Sequence, residues 1–219
     1  MDGSSENPFA AQRRAMVEEQ LRRRGIFDER VLAAMGEVPR EEFVDPHRAG
    51  EAYSDHPVPI GRDQTTSQPY MIAAMLQAAE IRPGDRVLEI GAGSGYQTAV
   101  LSKIAAHVYA VERHQALTQN AGSALDRLGI RNVTMVTGDG TLGLPQFAPF
   151  NAIIVSAAAP RVPPALVAQL AEGGRLAIPV SSGEDQVLQV VRKQQGGTSV
   201  ETLEGCRFVP LIGEQGFVG

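Results

Sequence analysis

Three short stretches of this chain and one lone carboxylate carry residues that could do chemistry together. They are the turn Gly91-Ala92-Gly93-Ser94-Gly95 with Glu89 just before it, Glu112, Gly138-Asp139-Gly140, and Gln64-Thr65-Thr66-Ser67-Gln68-Pro69-Tyr70. The glycine turn follows an apolar run, Val87-Leu88 and Ile90, and precedes a helical pattern of Ala99, Val100, Leu101 and Ile104. It therefore reads as a buried parallel strand, a tight turn and a helix N-terminus. Glycine lets a ligand come close to the backbone, and the free N–H groups of the helix start form a slightly positive cradle. The spacing is G-x-G-x-G, and Tyr96 stands where a dinucleotide fingerprint has its third glycine. A carboxylate such as Glu89 at the mouth of the cradle would repel a pyrophosphate and attract an ammonium and a cationic sulfur. That favours S-adenosylmethionine over a dinucleotide. The alternative is a glycine turn needed only for close helix–strand packing.

Glu112 ends the next apolar run, Val108 to Val111, and lies 21 residues after Gly91. An acidic residue at this separation reaches a ribose in doubly wound sheets, and one carboxylate can accept from both ribose hydroxyls. A solvated charge at a strand end is the competing reading. Asp139 ends a third strand, where it can accept from an adenine amino group or simply cap a turn. Together the three strand ends make adenosyl binding more probable than any one does, and the Tyr-x-x-x-Lys pair of many nicotinamide enzymes is missing.

Strands are expected near 86–90, 107–112, 132–137 and 151–156, with helices near 95–105, 114–128 and 162–171 between them. This alternation predicts an α/β fold with a doubly wound, mostly parallel sheet. Another strand follows over 175–180, and 186–192 with 199–209 form an antiparallel hairpin. Ahead of the sheet, residues 10–24 form an amphipathic helix ended by Gly25, and Asp28 caps a second helix closed by Gly36. One helical turn follows at 39–44, and residues 45–60 read as a long loop. Ile72, Met75, Leu76 and Ala79 then lie on one helix face, with Pro69 in its first turn and Ser67 near its N-cap. The chain divides into a disordered tail over 1–9 and one domain over 10–219. Within that domain lie a helical, substrate-facing segment (10–80), a cofactor-binding core (81–180) and the hairpin (181–219).

The 219 residues, 43% hydrophobic and 21% charged, suit a soluble α/β protein. The net charge of −5 gives no basic footprint for nucleic acid. One cysteine, Cys206, excludes an internal disulfide, and the four histidines are not grouped at metal spacing. The N-terminal residues lack the apolar core of a signal peptide, and no run approaches a membrane span. A cytoplasmic monomer that binds no metal, membrane or nucleic acid is expected.

With these motifs in hand, the chain resembles the protein-L-isoaspartate O-methyltransferase family over about residues 14–213. The match is carried by Val38-Pro39-Arg40-Glu41-Glu42-Phe43-Val44, the Gln64–Tyr70 segment, Val87 to Ala99 and Gly138-Asp139-Gly140. It continues through Pro149 to Val155, Ala157-Ala158-Ala159-Pro160 and Arg207-Phe208-Val209-Pro210-Leu211. The resemblance implies a Rossmann-like S-adenosylmethionine-dependent methyltransferase that esterifies the free α-carboxylate of isoaspartyl residues, so that repair proceeds through a succinimide. It implies that Ser67 is the active-site hydroxyl, and that Val209, Pro210 and Leu211, with Thr66, flank the peptide. The cofactor site it implies comprises Thr65, Thr66, Gln68, Glu89, Gly91, Ala92, Gly93, Gly95, Glu112, Arg113, Asp139 and Gly140. The substrate carboxylate is already ionised at neutral pH, so no general base is required. Asp63, Thr66 and Asn151 depart from the family's usual Gly, Ile and Asp. A methyltransferase for another peptide or a small-molecule carboxylate, a dinucleotide-dependent oxidoreductase and a non-catalytic adenosyl-binding module are the rival readings.

Overall fold

The computed structural model describes residues 8–218. Most of the expected tail over 1–9 lies outside the described residues, and Pro8 and Phe9 already belong to the first helix. In chain order the elements are α1 (Pro8–Ala15), α2 (Glu29–Glu37), β1 (Val58–Gly61), β2 (Gln64–Thr66), α3 (Pro69–Ala78), β3 (Arg86–Ile90), α4 (Tyr96–Ile104), β4 (His107–Glu112), α5 (Gln115–Arg127), β5 (Val133–Thr137), β6 (Phe150–Val155), α6 (Pro164–Ala168), β7 (Leu170–Ser182), β8 (Asp185–Gln194) and β9 (Gly197–Cys206).

β3 and β6 are apolar runs because both faces of their sheet are covered. Val87 packs with Met75, Val100 and Leu101 on one face, while Leu88 and Ile90 pack with Ile153, Leu176 and Leu211 on the other. The seven strands lie in the order β5-β4-β3-β6-β7-β8-β9. β5 to β7 pair in parallel, and β8 and β9 add antiparallel strands at one edge. The chain runs outward from β3 through β4 to β5, then returns to the other side of β3 with β6. The C-terminal ends of β3 and β6 part where that order reverses, the place where open α/β sheets bind ligands.

The N-terminal helices cover one face. α1 continues through a π-helical stretch, Met16–Leu21, and a 3-10 turn, Arg22–Arg24, to a left-handed Gly25 at φ 93°. Its narrow stripe of Met16, Val17 and Leu21 is buried, as the sequence pattern requires. Asp28 caps α2 by accepting from the Arg30 N–H at 3.0 Å. That helix runs one residue past Gly36, to Glu37.

Three expectations change. The loop over 45–60 holds a 3-10 turn, Pro46–Glu51, and the strand β1. β1 pairs with β2 in a small hairpin whose tip, Arg62-Asp63, has φ of 54° and 55°. Positive φ at both tip residues matches the strand twist, and Asp tolerates it. α6 is five residues long rather than ten, because Leu170 already pairs with Phe150 and the chain enters β7 before Gly173-Gly174. β9 ends at Cys206 rather than 209, which frees Arg207 to Leu211 to cross the sheet's end. Replacing Asp28 with Ala removes the α2 cap, and urea denaturation should show a loss of about 1 kcal/mol.

Candidate functional site

A partly open cavity lies at the C-terminal ends of the parallel strands. Its floor is the turn after β3, where Gly91 and Ala92 donate their N–H groups to the Val111 carbonyl at 2.8 and 3.1 Å. One wall is the end of β4, Val111-Glu112-Arg113, with Gly140 beyond it. The opposite wall is Ser156-Ala157 after β6. The roof comes from two segments far apart in sequence, Gln64 to Ser67 and Val209 to Ile212.

Glu112 is only 5% exposed, and its two oxygens accept from backbone. Oε2 takes the Gly93 N–H at 3.0 Å and Oε1 the His114 N–H at 2.9 Å. Each oxygen keeps a lone pair, so the carboxylate can accept two further hydroxyls side by side. Gly93, at φ 55°, needs its missing side chain twice, because a Cβ there would stand 3.2 Å from Ile60 of the hairpin. Gly95 has another task. A Cβ there would meet that of Ala121 at 2.9 Å, so this glycine lets α4 seat on α5 and stays off the cavity wall.

Glu89 does not stand at the mouth of the turn. It lies wholly buried beneath α4, accepting from Gln97 Nε2 at 3.0 Å and Thr98 Oγ1 at 2.6 Å. Burial raises its pKa to about 8, with the charge of Glu112 adding to the shift, so it is a neutral acid at pH 7. Gln97 also donates to Ser156 Oγ at 2.9 Å, which links this buried acid to the cavity wall. Asp139 is likewise engaged: Oδ1 accepts from Thr141 N and Oγ1 at 2.8 and 2.7 Å, and Oδ2 from Glu214 N at 2.8 Å. It shapes the Gly140 turn and pins the C-terminal segment.

Ser67 stands half-buried in the wall between this cavity and an open groove lined by Pro57, Met71, Val187, Cys206 and Phe208. Thr65, Ser156 and Val209 share that position. The N-cap of α3 is Gln68, without a side-chain capping bond. The Ser67 hydroxyl makes no hydrogen bond to another described residue, so it is free to donate into the junction. Gln68 points elsewhere, its amide donating to the Asp55 carbonyl at 3.0 Å. Arg207 to Leu211 close the groove because Ala158 donates to Val209 O at 2.8 Å and accepts from Leu211 N at 2.7 Å. Burial, with the charge of Glu204, pushes the Cys206 thiol up to about 11, so it is no nucleophile at neutral pH.

Of the residues singled out from sequence, Thr65, Thr66, Ser67, Gly91, Ala92, Gly93, Glu112, Arg113, Gly140, Val209, Pro210 and Leu211 meet at the cavity. Gln68, Glu89, Gly95 and Asp139 lie behind its walls. Sequence reasoning missed Ser156, Ala157 and Gln97. The first two follow β6 directly, so the strand-end rule that found Glu112 could have found them.

A family model described as protein-L-isoaspartate(D-aspartate) O-methyltransferase matches residues 11–216. The chain belongs to that family. A protein-L-isoaspartate O-methyltransferase of Koribacter versatilis is 55% identical over 209 residues, 95% of this chain and 94% of the relative. One of Geobacter metallireducens is 51% identical over 210 residues, 95% of this chain and 97% of the relative. A solved protein-L-isoaspartate O-methyltransferase superposes with a TM-score of 0.85 at 31% identity, over 93% of this chain and 67% of the other. A Plasmodium falciparum structure from the same family, in complex with S-adenosyl-L-homocysteine, gives 0.80 at 29%, over 91% and 98%.

For a protein-L-isoaspartate O-methyltransferase, this chain's departures fall at defined places. Asp63 occupies the left-handed hairpin tip, and Thr66 is buried opposite Val58. Asn151 accepts from the Arg86 N–H at 2.9 Å at the far end of the sheet, where an amide oxygen serves as well as a carboxylate. Glu89 also gives the fold a pH dependence. Because its folded pKa of about 8 exceeds the ordinary 4.5, its contribution to stability is complete below 4.5. That contribution is lost progressively as pH rises and is gone above about 8. Melting temperatures of the ligand-free protein should fall over this range, and Glu89→Gln should flatten the slope.

Proposed function

We propose that this enzyme transfers a methyl group from S-adenosylmethionine to the free α-carboxylate of L-isoaspartyl residues in damaged proteins and peptides, starting their repair through a succinimide. The observation that carries the reading is the place of Ser67, with an unengaged hydroxyl in the wall shared by the strand-end cavity and an open groove. The family and the relatives described above support the reaction.

The cavity fits the cofactor. The buried Glu112 has acceptor capacity for two ribose hydroxyls. The backbone at Gly91 to Gly93 leaves room for close approach, and Ile90, Val111 and Leu211 offer apolar surface to a flat base. Bound there, S-adenosylmethionine would supply a methyl group on a cationic sulfur, open to attack by a carboxylate oxygen with the neutral thioether as leaving group. Thr65, Thr66, Ala92, Arg113 and Gly140 complete its walls in this reading, while Gln68, Glu89, Gly95 and Asp139 support them from behind.

The remaining tasks belong to the chain on the substrate side. Ser67 donates to the substrate carboxylate and fixes which oxygen faces the cavity. Val209 to Leu211, clasped to Ala158, hold the peptide over the junction together with Thr66, and both segments exclude water. Removing water from two opposite charges that neutralise during the reaction lowers its barrier. No base is needed, since an α-carboxyl with a pKa of about 3.3–3.7 is ionised at pH 7. We propose a monomer acting in the cytoplasm on proteins rather than nucleic acid, in keeping with the net charge of −5. No helix among the described residues is long and apolar enough to cross a membrane.

Methylation of an isoaspartyl peptide with its aspartyl isomer as control tests the reading, and equal turnover of both would overturn it. Ser67→Ala should lower kcat/KM roughly 10- to 150-fold, the value of a hydrogen bond to a charged group. Its affinity for S-adenosylhomocysteine by calorimetry should stay near that of the native enzyme. Glu112→Ala should do the reverse first, weakening S-adenosylhomocysteine binding by about 1.5–3 kcal/mol.

A further inference from the structure

Among the described residues, Arg40 is the largest fully buried side chain, and no carboxylate is paired with it. A buried guanidinium without a counter-ion is costly, and an apolar side chain of similar size would serve the core better. What it touches suggests why it is there. Nη2 donates to the Ser67 carbonyl at 2.7 Å, and Nε donates to the Ala52 carbonyl at 2.6 Å. The guanidinium carbon lies 4.6 Å above the ring of Tyr96, the first residue of α4, directly after the glycine turn. Nη1 and the Tyr96 hydroxyl are buried without a partner of good hydrogen-bond geometry. The Arg40 N–H donates to the Tyr53 hydroxyl at 3.1 Å, and that hydroxyl donates to Glu41, so the backbone at this end is itself fixed.

We infer that Arg40 is a positioning residue for methyl transfer, setting the distance between the hydroxyl that holds the substrate carboxylate and the turn that holds the methyl donor. A planar fork can bond two carbonyls in fixed directions while its face lies on a ring. The three groups it joins belong to different parts of the chain: the Ser67 loop, the segment after Pro46–Glu51, and α4. The hydrogen bonds within β1 and β2 hold the Ser67 loop against the hairpin only as far as Thr66. Ser67 itself is tied by Arg40 through the carbonyl of its own peptide unit. Displacing a nucleophile's holder by a fraction of an ångström lowers the rate without touching the cofactor's contacts.

This inference rests on the reading of Ser67 given above, and the experiment separates the two. Arg40→Lys keeps the charge but not the fork, and Arg40→Met keeps the bulk but neither. Both are compared with the native enzyme and Ser67→Ala, at saturating S-adenosylmethionine to support folding. In both Arg40 variants, kcat for an isoaspartyl peptide should fall roughly 10- to 100-fold, with the Kd of S-adenosylhomocysteine within about twofold of native. Millimolar guanidinium should restore part of the rate in Arg40→Ala and none in Ser67→Ala. Native kcat in a folded Arg40→Met protein would overturn the proposal, and so would full activity in Arg40→Lys, which would show that the fork is not needed. Failure of both variants to fold, even with S-adenosylhomocysteine bound, would also overturn it by leaving Arg40 a purely structural part. If native enzyme turns over isoaspartyl peptide and Ser67→Ala matches it, the assignment of Ser67 fails instead.

Discussion

Two backbone N–H groups converge on the carboxylate of Glu112, and the crevice is built around that convergence. One belongs to Gly93 in the turn after β3, the other to His114 at the start of α5. The carboxylate thereby joins two strand-to-helix connections that only the parallel sheet brings side by side. The turn is also held from below, since Gly91 and Ala92 both donate to Val111. Four backbone N–H groups are thus committed to the end of one strand. The cavity floor gets its shape before any ligand arrives, and a preformed site spares the ligand the cost of ordering it.

Glu89 and Glu112 show how neighbouring strands can give the same side chain opposite parts. Their residues lie on adjacent parallel strands, Glu89 paired with Ala110 and Glu112 two positions further on. Glu112 accepts from two backbone N–H groups at the crevice. Glu89 has only a hydroxyl and an amide beside it, in a wholly buried place, and holds its proton at neutral pH. Two charges here would repel each other, so neutralising the deeper one leaves a single carboxylate facing the ligand. On the substrate side the buried charge has the other sign. Arg40 sits behind Ser67, bonded to its carbonyl and lining neither the cavity nor the groove, so what it does on that side passes through Ser67.

The sheet was legible because buried parallel strands must be apolar over a fixed length, and the chain alternates such runs with helical patterns. The edges were harder. Nothing in Pro57 to Ile60 signals a strand, because β1 is four residues long and has one partner, in a hairpin whose turn residues are Arg and Asp instead of Gly. Arg207 to Val209 read as strand because their alternation is intact, yet tertiary bonds to Ala158 draw them out of the sheet. At the site, positions at strand ends were legible and the direction of side chains was not. Glu89 and Asp139 lie where ligand-binding carboxylates are expected, but their oxygens turn inward to Thr98 and Thr141. Gly95 is indistinguishable by spacing from a ligand-facing glycine until Ala121 is placed against it.

A carboxylate nucleophile needs no activation, and this explains the economy of the site. No histidine lines the cavity among the described residues, and the Ser67 hydroxyl in its wall is not hydrogen-bonded to a base. What the reaction does require is that an anion and a cation be stripped of water and brought into line. Groups that do this are walls and props rather than acids and bases. The roof comes from Gln64–Ser67 and Val209–Ile212, segments far apart in sequence, and each is held at a backbone carbonyl, that of Ser67 by the buried Arg40 fork and that of Val209 by the Ala158 N–H. Because one is tied through Arg40 to α4 and the other through Ala158 to the end of β6, the distance between them follows from the fold. In this enzyme the fold is the larger part of the catalyst, and in the proposed reaction Ser67 is the point at which it touches the substrate.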